Sequence, residues 1–169
     1  MKTFVFALII LCIGTACSKI YPDEEFSRVR ENYAYDAIRF DGLWYQNAPS
    51  SSRNYYRWFL NKNGIVKYDG TIDSLDALAQ FDGTLNEKKG IWGIFYGNET
   101  ELVFEEWLSV TSHLAVYKSH YKILNDTTIV QYLGYCVESY KNCKVKAPFD
   151  TLHFHPFSPK PDSITPFID

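Results

Sequence analysis

From Gly42 onward, apolar and polar positions alternate with a period of two between short polar clusters, as in strands that turn one face inward. Gly42-Leu-Trp-Tyr-Gln-Asn opens the series. In residues 54–60, Tyr56, Trp58 and Leu60 fall on one face and Tyr55, Arg57 and Phe59 on the other. Asn61-Lys-Asn-Gly64 supplies a tight turn, because Asn63-Gly64 tolerates positive φ, and residues 65–72 form the return strand. Residues 90–96 and 101–107 flank Gly97-Asn98-Glu99-Thr100, residues 114–124 and 127–135 flank Asn125-Asp126, and residues 151–157 make a last strand. Two stretches follow helical spacing instead. Phe26, Val29 and Tyr33 predict a short helix within residues 18–39, and Leu75, Leu78 and Ala79 behind the N-cap pair Asp73-Ser74 predict a helical connection.

About eight antiparallel strands joined by short turns must protect their outer edges, and a sheet of that size does so most readily by curling into a closed barrel. A two-sheet sandwich is the alternative. After Pro156, the prolines 159, 161 and 166 among Ser, Lys and Asp suit an extended wrap along the domain or a frayed end. No internal repeat or second domain boundary is evident. The fold class is therefore all-β, with residues 40–157 as the barrel, 17–39 as a tether with a short helix, and 158–169 as a Pro-rich tail.

Residues 1–16 read as a processing signal. Lys2 gives a positive start, residues 4–13 carry no charge, and Gly14-Thr15-Ala16 are small residues leading into Cys17. A helix needs about 20 apolar residues to span the hydrocarbon of a bilayer, and only 14 precede Ser18-Lys19. Small residues followed at once by cysteine resemble the lipobox of bacterial lipoproteins. That resemblance implies cleavage before Cys17, diacylglycerol on its thiol and acylation of the new amino group. Two or three acyl chains hold a protein persistently, whereas one does so marginally. Asp23-Glu24-Glu25 resembles the acidic stretch that lipoproteins of Bacteroidota use for surface export. The expected location is thus the cell envelope, lipid-anchored to the outer membrane.

Cysteine usage agrees with export. With Cys12 lost in the signal and Cys17 lipidated, Cys136 and Cys143 remain, separated by six residues. An even pair in an oxidising compartment predicts a disulfide.

Gly42-Leu-Trp44 at the opening strand resembles the Gly-x-Trp motif of the lipocalin (calycin) barrels. Residues 90–102 and 121–129 look like paired strands of small lipocalin-like lipoproteins of Bacteroidota. The resemblance covers roughly residues 40–157 and implies a barrel with Trp44 closing one end. The Arg that packs over the opening Trp late in lipocalin barrels has no evident counterpart; Lys144 and Lys146 are the basic residues near the final strands.

An eight-stranded barrel is just wide enough to be filled by side chains or to hold one small ligand. Trp58, Trp92, Phe95, Phe104 and Tyr121 are the candidate inward residues. Aromatic walls suit apolar or planar ligands and equally well fill a core. His153 and His155 alternate on one strand and share a face, a spacing at which two imidazoles reach one metal ion. A third ligand would have to come from His113 or His120, and no metal site is expected. Glu105 and Glu106 are adjacent on a strand and point to opposite faces, so they form no catalytic pair. There is no Gly-x-Ser-x-Gly elbow and no Gly-rich phosphate loop.

The chain has 169 residues, 46% hydrophobic and 22% charged, with a formal net charge of −3. No run of like charge or basic surface suits nucleic acid. Three readings of function are carried: a membrane-tethered protein whose barrel binds a small hydrophobic or amphipathic ligand, a structural lipoprotein with a filled barrel that binds another envelope protein, and, least supported, an enzyme, which would need clustered His or carboxylate side chains in a pocket. Neither an enzymatic activity nor a cofactor is expected.

Overall fold

A computed structural model describes residues 23–47, 55–72, 88–110, 113–137 and 150–169. Eight strands follow one another along the chain: β1 (Gly42–Asn47), β2 (Tyr55–Leu60), β3 (Ile65–Ile72), β4 (Trp92–Gly97), β5 (Glu101–Val110), β6 (His113–Asn125), β7 (Thr128–Cys136) and β8 (Thr151–Pro156). Each expected strand is present. Every strand pairs antiparallel with its sequence neighbours, and β1 pairs with both β2 and β8, so the sheet closes into a barrel and not a sandwich. Trp44 marks the seam, standing opposite Trp58 on one side and Phe154 on the other.

The hairpin turns form where the polar clusters predicted them. Gly64 adopts φ 81°, and a side chain there would run into the Glu31 carbonyl. The β5–β6 pair is the longest ladder, running from Glu101 opposite Lys122 to Val110 opposite His113.

Alternation sorts the side chains into two cores. Trp44, Trp58, Leu60, Val66, Phe95, Leu102, Phe104, Tyr121, Ile129 and Leu152 point into the barrel and pack together, joined by Tyr33 and Ile38 from the segment before β1. Ile65, Trp92, Trp107 and Val116 point outward and are nonetheless buried, because Phe26, Phe167 and Ile168 from the two terminal segments cover them. Trp92, expected as an inward residue, is therefore on the outer face. The reason is the period itself: Trp92 and Phe95 lie three positions apart on β4, so they cannot share a face.

The helix expected within residues 18–39 does not form in its described part. Residues 23–41 run without helix, and their backbone groups bond to the barrel instead: Glu24 N–H to Leu114 O at 2.8 Å, Tyr33 N–H to Lys62 O at 2.8 Å and Arg39 N–H to Asp126 O at 3.1 Å. Three apolar residues at helical spacing cover too little surface to repay helix nucleation. An extended strap buries Phe26 and Tyr33 on two different surfaces and leaves Val29 exposed. The helical connection expected after Asp73 lies outside the described residues, and the helix found among them is one 3-10 turn over Lys89–Ile91.

The tail wraps. Phe157 packs edge-on against Phe59 with ring centroids 6.2 Å apart, Asn63 Nδ2 donates to Ser163 Oγ at 2.8 Å, and Lys160 Nζ donates to Phe40 O at 2.8 Å and to Leu60 O. The two ends of the barrel differ as a result. Turns 61–64, 98–100 and 126–127 gather at one end with the later part of the strap, Tyr33 to Phe40, and the first part of the tail, Phe157 to Ser163. At the other end β1, β3, β5 and β7 finish and β2, β4, β6 and β8 begin; residues 48–54, 73–87, 111–112 and 138–149 lie outside the described set.

Candidate functional site

At the closed end the interior is solid. Trp44 donates its indole N–H to Arg39 O at 3.2 Å, which ties the strap beneath β1. Phe154 packs edge-on against Trp44 at 5.7 Å, and the Arg39 guanidinium lies 4.6 Å from the Phe154 ring centre. Thus Trp44 closes this end, as its motif implied, against an extended strap. Phe95 and Phe104 meet edge-on at 6.0 Å, and Phe104 meets Tyr121 at 4.5 Å. Both Phe rings are fully buried and form a floor.

Above that floor the barrel is open. A cavity of about 490 Å³ is walled by Tyr56, Trp58, Tyr68, Tyr117 and Tyr121, with Gln46, Ser119 and Gln131 between the rings and Leu108 and Ile91 toward the rim. The Tyr56, Trp58 and Tyr68 rings form one cluster on β2 and β3, with centroids 5.4–6.4 Å apart. The interior is half filled and half hollow, so the two expected alternatives each describe one end.

The cavity also holds carboxylates. Glu106 projects inward from β5 opposite Tyr117, and its Oε1 accepts the Trp58 indole N–H at 3.0 Å. Burial pushes its pKa up to about 7, against a lowering by the Trp58 hydrogen bond. Asp150, just before β8, is the second acidic residue of the lining, and none of the described lining residues is basic. Burial likewise raises the phenol pKa values of Tyr117 and Tyr121, and the Glu106 charge adds to both. Gly134 on β7 makes room for this group: a Cβ there would sit 2.1 Å from the Tyr117 hydroxyl, which is what an isolated glycine inside a strand commonly signals.

Glu105, one residue earlier, faces the outside as alternation requires. It is fully buried under the strap, paired with Lys118 at 2.7 Å, and accepts the Ser27 N–H at 2.6 Å and the Tyr96 hydroxyl at 2.8 Å. Burial opposes its charge, but Lys118, Ser27 and Tyr96 together hold its pKa below the usual carboxylate value.

Of the five expected ligand-site residues, Trp58 and Tyr121 line the cavity, Phe95 and Phe104 form its floor, and Trp92 is outside it. Glu106, Tyr56, Tyr68 and Tyr117 were not singled out from sequence. Tyr56 shares the Trp58 face in the sequence pattern, and counting by twos from Phe104 would have placed Glu106 inward as well. His153 is exposed on the outer face beside Tyr45 at 5.9 Å, and His120 lies between Tyr132 and Tyr135 on β6 and β7. Among the described residues no three His, Cys, Asp or Glu side chains are placed to hold a metal ion. Cys136 ends β7 at the open end; Cys143 and Cys17 lie outside the described residues.

A closed barrel of eight antiparallel strands in sequential order, packed at one end and cupped at the other, fits a lipocalin-like fold. Comparison with protein-family models, curated proteins and solved structures found nothing that matches the chain.

Proposed function

We propose that this protein is a lipocalin-like lipoprotein of the bacterial cell envelope, anchored by lipid on Cys17, whose half-open barrel binds one small hydrophobic or amphipathic molecule and catalyses no reaction. The observation that carries this reading is the cavity of about 490 Å³ walled by five aromatic residues above a packed floor. Its size falls within the few hundred to about 1,000 Å³ usual for small-molecule sites, and its mix of rings with a few polar groups is what such sites present.

The strap supports the anchoring. Asp23 accepts the Leu114 N–H at 2.8 Å and pairs with Lys89 at 3.2 Å, both beside strand ends at the open mouth. Five residues separate Asp23 from Cys17, and the six extended steps from one to the other reach about 20 Å. Lipid on Cys17 would hold the mouth within that distance of the bilayer, on the side from which an amphipathic ligand arrives. Cys136 and Cys143 would pair to close the hairpin tip at the same end.

Two measurements test the proposal. The neutral fluorophore N-phenyl-1-naphthylamine is expected to bind saturably at one site per chain, and Ser119→Phe, which places a ring in the cavity, is expected to abolish that binding while the melting temperature is kept. Cys17→Ser is expected to move the protein from the membrane fraction to the soluble one. Absence of saturable binding would favour the structural reading, a lipoprotein that works through an envelope protein partner.

A further inference from the structure

The cavity combines two features that a plain hydrocarbon pocket would not need. Three rings of one cluster, Tyr56, Trp58 and Tyr68, stand on one wall. Glu106 reaches into the same space, anchored through one carboxylate oxygen to Trp58, and Asp150 adds a second acid to a lining whose described residues include no base. Aromatic faces attract cations through their quadrupoles, and a carboxylate set among rings inside a cup keeps only part of the hydration that would stabilise its charge.

We propose that the cavity takes the head of a cationic amphiphile, a primary or quaternary ammonium carrying an apolar chain, with Glu106 as its counter-ion and the rings of Tyr56, Trp58 and Tyr68 as its wall. The proposal rests on the cavity being the ligand site and adds the chemistry of the ligand. The ammonium sits at the level of Glu106, and the chain runs past Leu108 and Ile91 toward the rim. An anionic head is rejected, because it would meet like charge without a compensating base among the described residues.

Isothermal titration of the full mature chain with three ten-carbon probes below their micelle concentrations tests this: decyltrimethylammonium, decanol and decyl sulfate. At pH 8.5 the cation is expected to bind at least about tenfold tighter than decanol, and the sulfate most weakly, as charge pairing and the ring wall both favour the cation. Glu106→Gln is expected to erase the preference for the cation and leave decanol within about twofold, while Asp150→Asn has the smaller effect. Should Glu106→Gln fail to fold, the wild-type chain supplies a second readout. The titratable groups that line the cavity with Glu106 on the neighbouring strands are the tyrosines 56, 68, 117 and 121, and Asp150. The cation preference is therefore expected to fall as the pH drops from 8.5 to 5 and Glu106 protonates, with decanol unchanged. Equal binding of the three probes would overturn the charge assignment and leave the cavity as a binding site. A cation preference that survives both Glu106→Gln and pH 5 would overturn Glu106 as the counter-ion. No binding by any probe would overturn this proposal together with the ligand-binding reading beneath it.

Discussion

Glu105 and Glu106 share a strand and a chemistry, and the pleat sends one to the strap and the other to the cavity. Glu105 gains a cation and three donor groups that hold its pKa down, whereas Glu106 gains one indole N–H and is buried among rings, which lifts its pKa to about 7. Their contributions to stability run in opposite directions with pH. The folded state holds a proton on Glu106 that the unfolded chain has released above its ordinary pKa, so this residue costs stability as the pH rises through about 7. Glu105 contributes stability above the ordinary carboxylate range that is lost as the pH falls through its lowered value. Glu106→Gln is accordingly expected to stabilise the empty protein by roughly 1–3 kcal/mol at pH 8.5 and by little at pH 5. Urea unfolding at the two pH values measures it, and equal effects at both would show that Glu106 is ordinarily solvated.

At the scale of elements, the eight strands were legible because each carries its own alternation and is punctuated by Asn-Gly or similar turns. The strap was not. Phe26, Val29 and Tyr33 share a helical spacing by coincidence, and what decides their conformation is the distant surface each meets: Phe26 lies 4.1 Å from Trp107, and the Tyr33 hydroxyl donates to Asn98 O at 2.8 Å. Trp92 shows the complementary difficulty, since a large aromatic on a strand does not say which face is inside once terminal segments cover the outer one. Two substitutions test these covers. Glu105→Ala leaves Lys118 without its buried partner and is expected to cost about 3 kcal/mol and to speed amide exchange at Ser27 more than at Leu102, in the core of the same strand. Lys160→Ala removes the donor to the Phe40 and Leu60 carbonyls and is expected to cost about 1–3 kcal/mol, with increased proteolysis within the tail. Lys160 is itself held at a pKa of about 8 by burial, with Asp41 opposing the shift. Unchanged exchange at Ser27, or unchanged cleavage of the tail, would show that the segment is held by its apolar contacts alone.

On the scale of the whole molecule, the barrel divides its length between stability and capacity. The lower half is built as a core, with Trp44, Phe95 and Phe104 fully buried, and truncating Phe104 to Ala is expected to cost about 3–5 kcal/mol by denaturant unfolding. The upper half leaves space that the same strands could have filled. The sequence could not reveal this division, because Phe104 and Glu106 are successive inward positions of β5 and only the three-dimensional level of each ring shows where packing stops. The four tryptophans report on the two halves separately: Trp58 walls the cavity, Trp44 lies in the closed end, Trp92 is on the outer face and Trp107 lies at the rim. The most direct measurement is a titration of the ¹⁵N-labelled protein with N-phenyl-1-naphthylamine, observed at the tryptophan indole N–H signals. A ligand held in the cup is expected to shift the Trp58 signal most and leave those of Trp44 and Trp92 in place, whereas saturation with Trp58 unmoved, or with Trp92 moving most, would contradict a binding site inside the barrel.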